Sequence, residues 1–301
     1  MHTAMTIHLG LHKTASTFMQ QYFFPLHSDE LGYLDLRGSA SRFLTYLLHC
    51  NDLEWDAATA LSLLEDDLCG KNRRKSHRML ISDEQFCGSP WDNASNRRRS
   101  FDRLHQLFPE ARYLIVFRNQ QALVQSLYLQ YVKTGGSASW KKFLTHDRHP
   151  LKFALKSYLN YGAYLKYILS LVGKERVGCL LYEDMIHDPV SFCGKLAAFL
   201  QIESEQDLNQ IVQRKANKSI SPLWAKTIIH ANKFFSSERQ PFLLLPQSAR
   251  RAMLSLAIRL SSSQKKNAIP GSVVAEFCKV AKSHNSILKD LVGRDISEMG
   301  Y

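Results

Sequence analysis

The six cysteines of this chain include no C-x-x-C pair, and no stretch approaches eighteen uninterrupted apolar residues. The first absence removes the spacing of zinc sites and dithiol redox motifs, leaving reduced, buried thiols in a cytoplasmic protein as the expectation. The second excludes a membrane-spanning helix. The N-terminus has no charged region followed by an apolar core and a cleavage site, so no standard export signal is read. Histidines such as His8, His49 and His105 show no metal-ligand spacing, and no metal is expected.

Two further absences narrow the function. Residues 10–17 lack the second glycine of G-x-x-x-x-G-K-[ST], since Lys13 follows Gly10 by three positions and Ala15 stands where that glycine belongs. The match to a nucleotide triphosphatase is therefore poor. No strand other than "LISDE" ends in an aspartate that would hold magnesium. The run Arg97–Arg99 is not interleaved with a recognition module, so no nucleic-acid partner is expected.

What is present is a chain of 301 residues, 45% hydrophobic, with a formal net charge of +12 and a pI near 9.4. That length supports one globular domain, 1–301, with residues 222–301 as a helical C-terminal elaboration. The charge implies anionic partners. The basic runs 71–78 and 96–103 read either as a solvated face or as a docking surface.

Short apolar runs at 4–9, 78–82, 112–117 and 176–182 alternate with helical periodicity at 16–24, 56–68, 97–108, 120–133, 153–172 and 190–200. This predicts an α/β fold, a central mostly parallel sheet with helices on both faces. Beyond residue 222 the strand signal stops and three helices are expected.

In "TIHLGLHKTASTF" a strand runs into Gly10, and a helix is expected to begin near Ser16 as its N-cap. A helix N-terminus offers free N–H groups and a positive dipole end, to which Lys13, Thr14, Ser16 and Thr17 add an ammonium and three hydroxyls. A phosphate-like group is the natural occupant. Arg118 ends the strand "RYLIVF", where ligands bind in open α/β sheets.

These motifs, taken in order, resemble the sulfotransferases that use 3'-phosphoadenosine 5'-phosphosulfate (PAPS). "GLHKTAST" resembles their phosphosulfate loop. Arg118 with Ser126 eight residues on resembles their 3'-phosphate segment, although Gln120 stands where a proline is common. "LLYEDMIHDP" resembles their Tyr-Glu-Asp segment, and "NSILKDLVGRDIS" the C-terminal signature of bacterial members. The resemblance implies a P-loop-containing, sulfotransferase-like fold and sulfuryl transfer from PAPS, which leaves as adenosine 3',5'-bisphosphate, to a hydroxyl acceptor such as a carbohydrate. It places Lys13, Thr14, Ala15, Ser16, Thr17, Arg118 and Ser126 at the donor, with Lys215, Asn217 and Ser219 of "RKANKSISP" over the adenosine end. Lys13 is the expected charge stabiliser. Glu84 is the first choice of general base and His12 the second.

Tyr182, Glu183 and Asp184 read more as anchors than as catalysts. The rings of Tyr128, Tyr131, Trp140, Tyr158 and Tyr161 either line an acceptor pocket or belong to the core, and "KTGGSASW" reads as a gate. The alternative enzyme is a P-loop kinase acting on a small molecule with magnesium-ATP.

Overall fold

The computed structural model describes residues 4–36, 41–68, 77–145, 155–203, 220–235, 237, 245–261 and 267–301. Five strands form one sheet: β1 (Ala4–Leu9), β2 (Gly32–Leu34), β3 (Arg78–Asp83), β4 (Arg112–Phe117) and β5 (Val177–Leu181), in the order β2-β3-β1-β4-β5. Every pairing is parallel. All the strand exits therefore open on one edge.

Alternation along each strand sends side chains to opposite faces. Ile7, Leu9, Ile81, Ile115 and Phe117 enter one apolar layer, while Leu80, Leu114 and Val116 meet Phe18, Phe23 and Phe192 in another. Helices cover both layers, as a wholly buried parallel sheet requires. The α/β expectation holds, with β2 added; at three residues, it is too short to stand out in the sequence.

Several boundaries differ from the periodicity. The first helical segment begins with Ser16–Phe18, passes through a π-helical stretch at Met19–Phe23 and ends with Phe24–Leu26. Pro25 has no N–H to continue the ladder, and the Phe24 amide reaches five residues back to Met19 O. The pattern at 153–172 divides into Lys156–Leu159 and Tyr161–Val172, because Asn160 leaves the helical conformation and its side chain accepts from Ala163 N as a new cap. β5 stops at Leu181, and Tyr182–His187 form a helical turn rather than a strand end. Helices at Arg42–His49 and Trp140–Thr145 lie between the expected elements. Beyond residue 222 the described residues form four helices where three were expected: Pro222–Ala231, Gln247–Leu260, Gly271–Lys282 and Ser286–Val292. Among the described residues, no helix is long and apolar enough to cross a membrane.

The basic run 96–103 is not merely a solvated face. Arg97 is buried, donating to Cys87 O at 2.6 Å, Ser157 O at 3.2 Å and Tyr158 O at 3.1 Å, with its guanidinium over the rings of Tyr158 and Tyr164. Arg103 is also buried and holds Leu47 O and Cys50 O. In the other basic run, residues 71–76 lie outside the described residues.

Removing a buried donor leaves its acceptors desolvated. Arg97→Ala is expected to lower stability by about 3 kcal/mol, since three carbonyls lose their partner. Arg98→Ala, at the exposed neighbouring position, is expected to leave it unchanged. Urea unfolding of the two variants checks the contrast.

Candidate active site

The register that pairs Leu9 with Asp83 sets the exits of β1 and β3 side by side. Gly10 N donates to Asp83 O at 3.2 Å. A Cβ on Gly10 would lie 3.2 Å from Glu84 Cα and 3.3 Å from Asp83 O, so glycine permits the close approach. The loop then turns through two non-glycine residues in the left-handed region, Lys13 and Ala15, both at φ 67°.

Ala15, not Ser16, occupies the N-cap position, and it has no side-chain cap to offer. Ser16 is instead the first helical residue. Its hydroxyl and that of Thr14 are buried and donate inward to Leu11 O, at 3.4 and 2.6 Å. The loop's own backbone thus takes the protons the sequence had assigned to an anion. Lys13 and Thr17 keep part of their surface open to solvent.

Around Lys13 the charges are predominantly positive. Partial burial, then the ammonium of Lys133 and the guanidinium of Arg118, hold its pKa below that of an ordinary lysine, while Glu84 acts in the opposite direction. Glu84 begins a short 3₁₀ turn, Glu84–Cys87, which Asp83 caps by accepting from Gln85 N at 2.7 Å. The first-choice base therefore stands partly exposed beside the lysine.

His12 is placed differently. Its backbone N–H donates to Tyr158 Oη at 2.8 Å, and its Nδ1 lies 3.2 Å from the same oxygen. Burial, with Lys13 and Arg97 nearby, lowers its pKa to about 4. A neutral imidazole tied to a tyrosine is a weaker base near neutral pH than a free histidine.

Arg118 leaves β4 and joins the two halves of the edge. Its Nη1 donates to Lys13 O at 2.9 Å, and its guanidinium lies 4.4 Å from the ring centre of Tyr182. Its Nε is buried and has no partner among the described residues, a donor suited to an anionic oxygen. Ser126 lies partly exposed on the helix Gln120–Lys133 that comes next.

Glu183 and Asp184 serve as anchors. Glu183 accepts from Asn119 N at 3.0 Å and from Tyr301 Oη at 2.6 Å, and Asp184 pairs with Arg294 and, at 3.5 Å, Lys195. Asn119 caps the helix through Ala122 N and also holds Met299 O. Gln120 is buried and exchanges amide hydrogen bonds with Asn285, at 2.9 and 3.2 Å. The helix therefore starts where expected without a proline.

Tyr128, Tyr131, Tyr158 and Tyr161 are buried. Tyr158 and Tyr161 nevertheless support the site, since Tyr161 Oη donates to Arg118 O at 2.7 Å. Segment 134–139 is tied down by Gly136 N to Tyr131 O and Ala138 N to Tyr131 Oη. Lys215, Asn217 and Ser219 lie outside the described residues. Lys133 and Tyr301 were missed as neighbours of the site, while Tyr158 and Tyr161, read as pocket or core residues, are core residues that brace it. Each reaches it through tertiary packing and carries no local motif. Among the described residues, no three His, Cys, Asp or Glu side chains are grouped to hold a metal.

A family model described as the sulfotransferase family matches residues 33–206. The match takes in Glu84, Arg118 and Tyr182–Asp184 but starts after the Gly10–Thr17 loop. A sulfotransferase from Alicyclobacillus acidocaldarius is similar in fold, with a TM-score of 0.56 at 14% identity over 98% of each chain. A mouse sulfotransferase complexed with PAP has a TM-score of 0.42 at 11% identity, over 97% of this chain and 84% of that one. The curated proteins include no match.

The neutral histidines have a measurable consequence. Burial lowers His8 to about 3 and His12 to about 4, from 6.5. Between pH 6.5 and about 4 the unfolded chain binds protons that the folded chain refuses, so stability is expected to fall as pH drops through that window. His12→Asn is expected to reduce the slope between pH 6.5 and 5, read from urea midpoints, while leaving a residual slope from His8.

Proposed function

This chain belongs to the sulfotransferase family, and from that premise we propose that it transfers a sulfuryl group from PAPS to a hydroxyl of a small-molecule acceptor, with a carbohydrate as the leading class. The observation that carries the reading is the meeting of Lys13, Glu84 and Arg118 on one strand edge, with Lys133 adding positive charge. Such an edge favours a polyanion and provides a carboxylate for a proton.

Bound PAPS supplies an electrophilic sulfur and a phosphate as leaving group. Lys13 then stabilises charge gathering on the leaving oxygen. Thr14, Ala15, Ser16 and Thr17 contribute chiefly backbone N–H groups, because the Thr14 and Ser16 hydroxyls already serve Leu11 O. Arg118, through its unpartnered Nε, and Ser126 hold the 3'-phosphate. Lys215, Asn217 and Ser219 are assigned to the adenosine end. Glu84 accepts the acceptor's hydroxyl proton in preference to His12, whose nitrogen is engaged with Tyr158 and whose pKa is low.

The amide pair between Gln120 and Asn285 supports reading the C-terminal helices as part of one domain. The free cysteines Cys87, Cys193 and Cys278, all buried, support a reducing compartment such as the cytoplasm. A magnesium-dependent kinase remains the competing reading. Its one strand-end aspartate, Asp83, is engaged in capping Gln85 N.

Titration with adenosine 3',5'-bisphosphate in chelator is expected to show binding that weakens about tenfold or more in Arg118→Ala, the loss of a charge-assisted contact. Lys13→Ala is expected to retain the fold and lose turnover of labelled PAPS. Stabilisation by magnesium-ATP, with none by the bisphosphate, would favour the kinase.

A further inference from the structure

A cavity of about 560 Å³ lies between the helices Gln120–Lys133, Trp140–Thr145 and Pro222–Ala231. The rings of Tyr128, Tyr131 and Trp140 form part of its wall. Lys142, Lys226, His230 and Lys233 form another part, with Ser137 and Ser139 adding hydroxyls. Among the described residues, no carboxylate lines it.

The arrangement of the cations is unusual for a solvated surface. Lys226 and His230 are four residues apart on one face of the helix Pro222–Ala231, and Lys233 follows in the turn after it. Lys142, Lys226 and Lys233 bring three ammonium groups to one cavity, where like charges repel. None of the three makes an ion pair with a described residue. All three line the cavity, where an anion would relieve the repulsion.

The cavity is also tied to the candidate site. The helix Gln120–Lys133 that forms one wall also carries Lys133, whose charge acts on Lys13. The ring of Trp91, on the segment just after the Glu84 turn, lies 6.5 Å from that of Tyr131. Ala138 N donates to Tyr131 Oη at 3.1 Å, which fixes the loop wall against the same ring. Ring faces beside hydroxyls suit the apolar face and polar rim of a sugar.

We propose that this cavity is the acceptor subsite and that it selects acidic sugars, with Trp140 against the ring and Lys142, Lys226, His230 and Lys233 around a carboxylate or sulfate. This rests on the sulfuryl-transfer reading only in calling the bound sugar an acceptor. The charge selection itself comes from the cavity.

The test is calorimetric titration with hexagalacturonate and with its fully methyl-esterified form, the same chain without charge, each with and without saturating adenosine 3',5'-bisphosphate. At physiological salt the acid is expected to bind about tenfold tighter or more than the ester. The double variant Lys226→Ala, Lys233→Ala is expected to erase that preference. The double variant Lys166→Ala, Lys174→Ala removes the same charge from exposed positions elsewhere and is expected to retain it. Equal binding of acid and ester by the wild type, or equal loss of preference in both double variants, would overturn the proposal. Failure of the bisphosphate to bind would count against the donor reading alone, because the sugar titrations without nucleotide decide the charge preference separately.

Discussion

The hydrogen bond from Arg118 Nη1 to Lys13 O is the link on which the candidate site depends, because it joins the exits of β1 and β4, two strands adjacent in the sheet but far apart in sequence. Arg118 is braced in turn by its neighbours. Tyr161 holds its carbonyl, Glu183 holds the next amide, and Tyr301 holds Glu183. The chain thus carries one continuous polar path from the lysine loop to its last residues. A charge-bearing arm set this way gives up little conformational freedom when it meets an anion, which is the condition for strong electrostatic contact.

Much of the fold was legible because four strands are short, mostly apolar runs, a pattern that a parallel sheet buried on both faces imposes. The strand exits were legible too, since Gly10, Glu84 and Arg118 each come at or just after the end of such a run. What escaped was set by local exceptions to periodicity. Asn160 interrupts an otherwise helical pattern only because its side chain caps the helix Tyr161–Val172, and Pro25 displaces the ladder by one residue without ending it. Ser16 carries the right side chain for a cap, yet Ala15 holds that position because the loop needs a left-handed residue there. Lys133 and Tyr158 could not be read as neighbours of Lys13 and His12 from any spacing. Their placement depends on how helices cross the sheet.

The high net charge has two distinct destinations. Arg97 and Arg103 are turned inward as multidentate donors to backbone carbonyls, where they serve as internal struts and leave little field outside. Lys13, Arg118 and Lys133 instead crowd one edge, where each raises the electrostatic cost of the others and lowers the lysine's proton affinity. Of these two groups, the second makes the surface attractive to an anion. A count of lysines and arginines cannot separate these uses, because burial decides between them.

The two left-handed residues of the loop complete the physical picture. Lys13 and Ala15 carry a Cβ where glycine would be unstrained, and such conformations cost on the order of 1 kcal/mol or more each. They persist because the loop is over-determined: Thr14 and Ser16 draw it in through Leu11 O, and Arg118 fixes Lys13 O from the neighbouring strand. With glycine at these positions, the loop would have more conformations to lose on meeting a ligand. The strain therefore belongs to the same design as the bracing of Arg118. Both place donors in their working directions before the anion arrives, and folding rather than binding bears that cost.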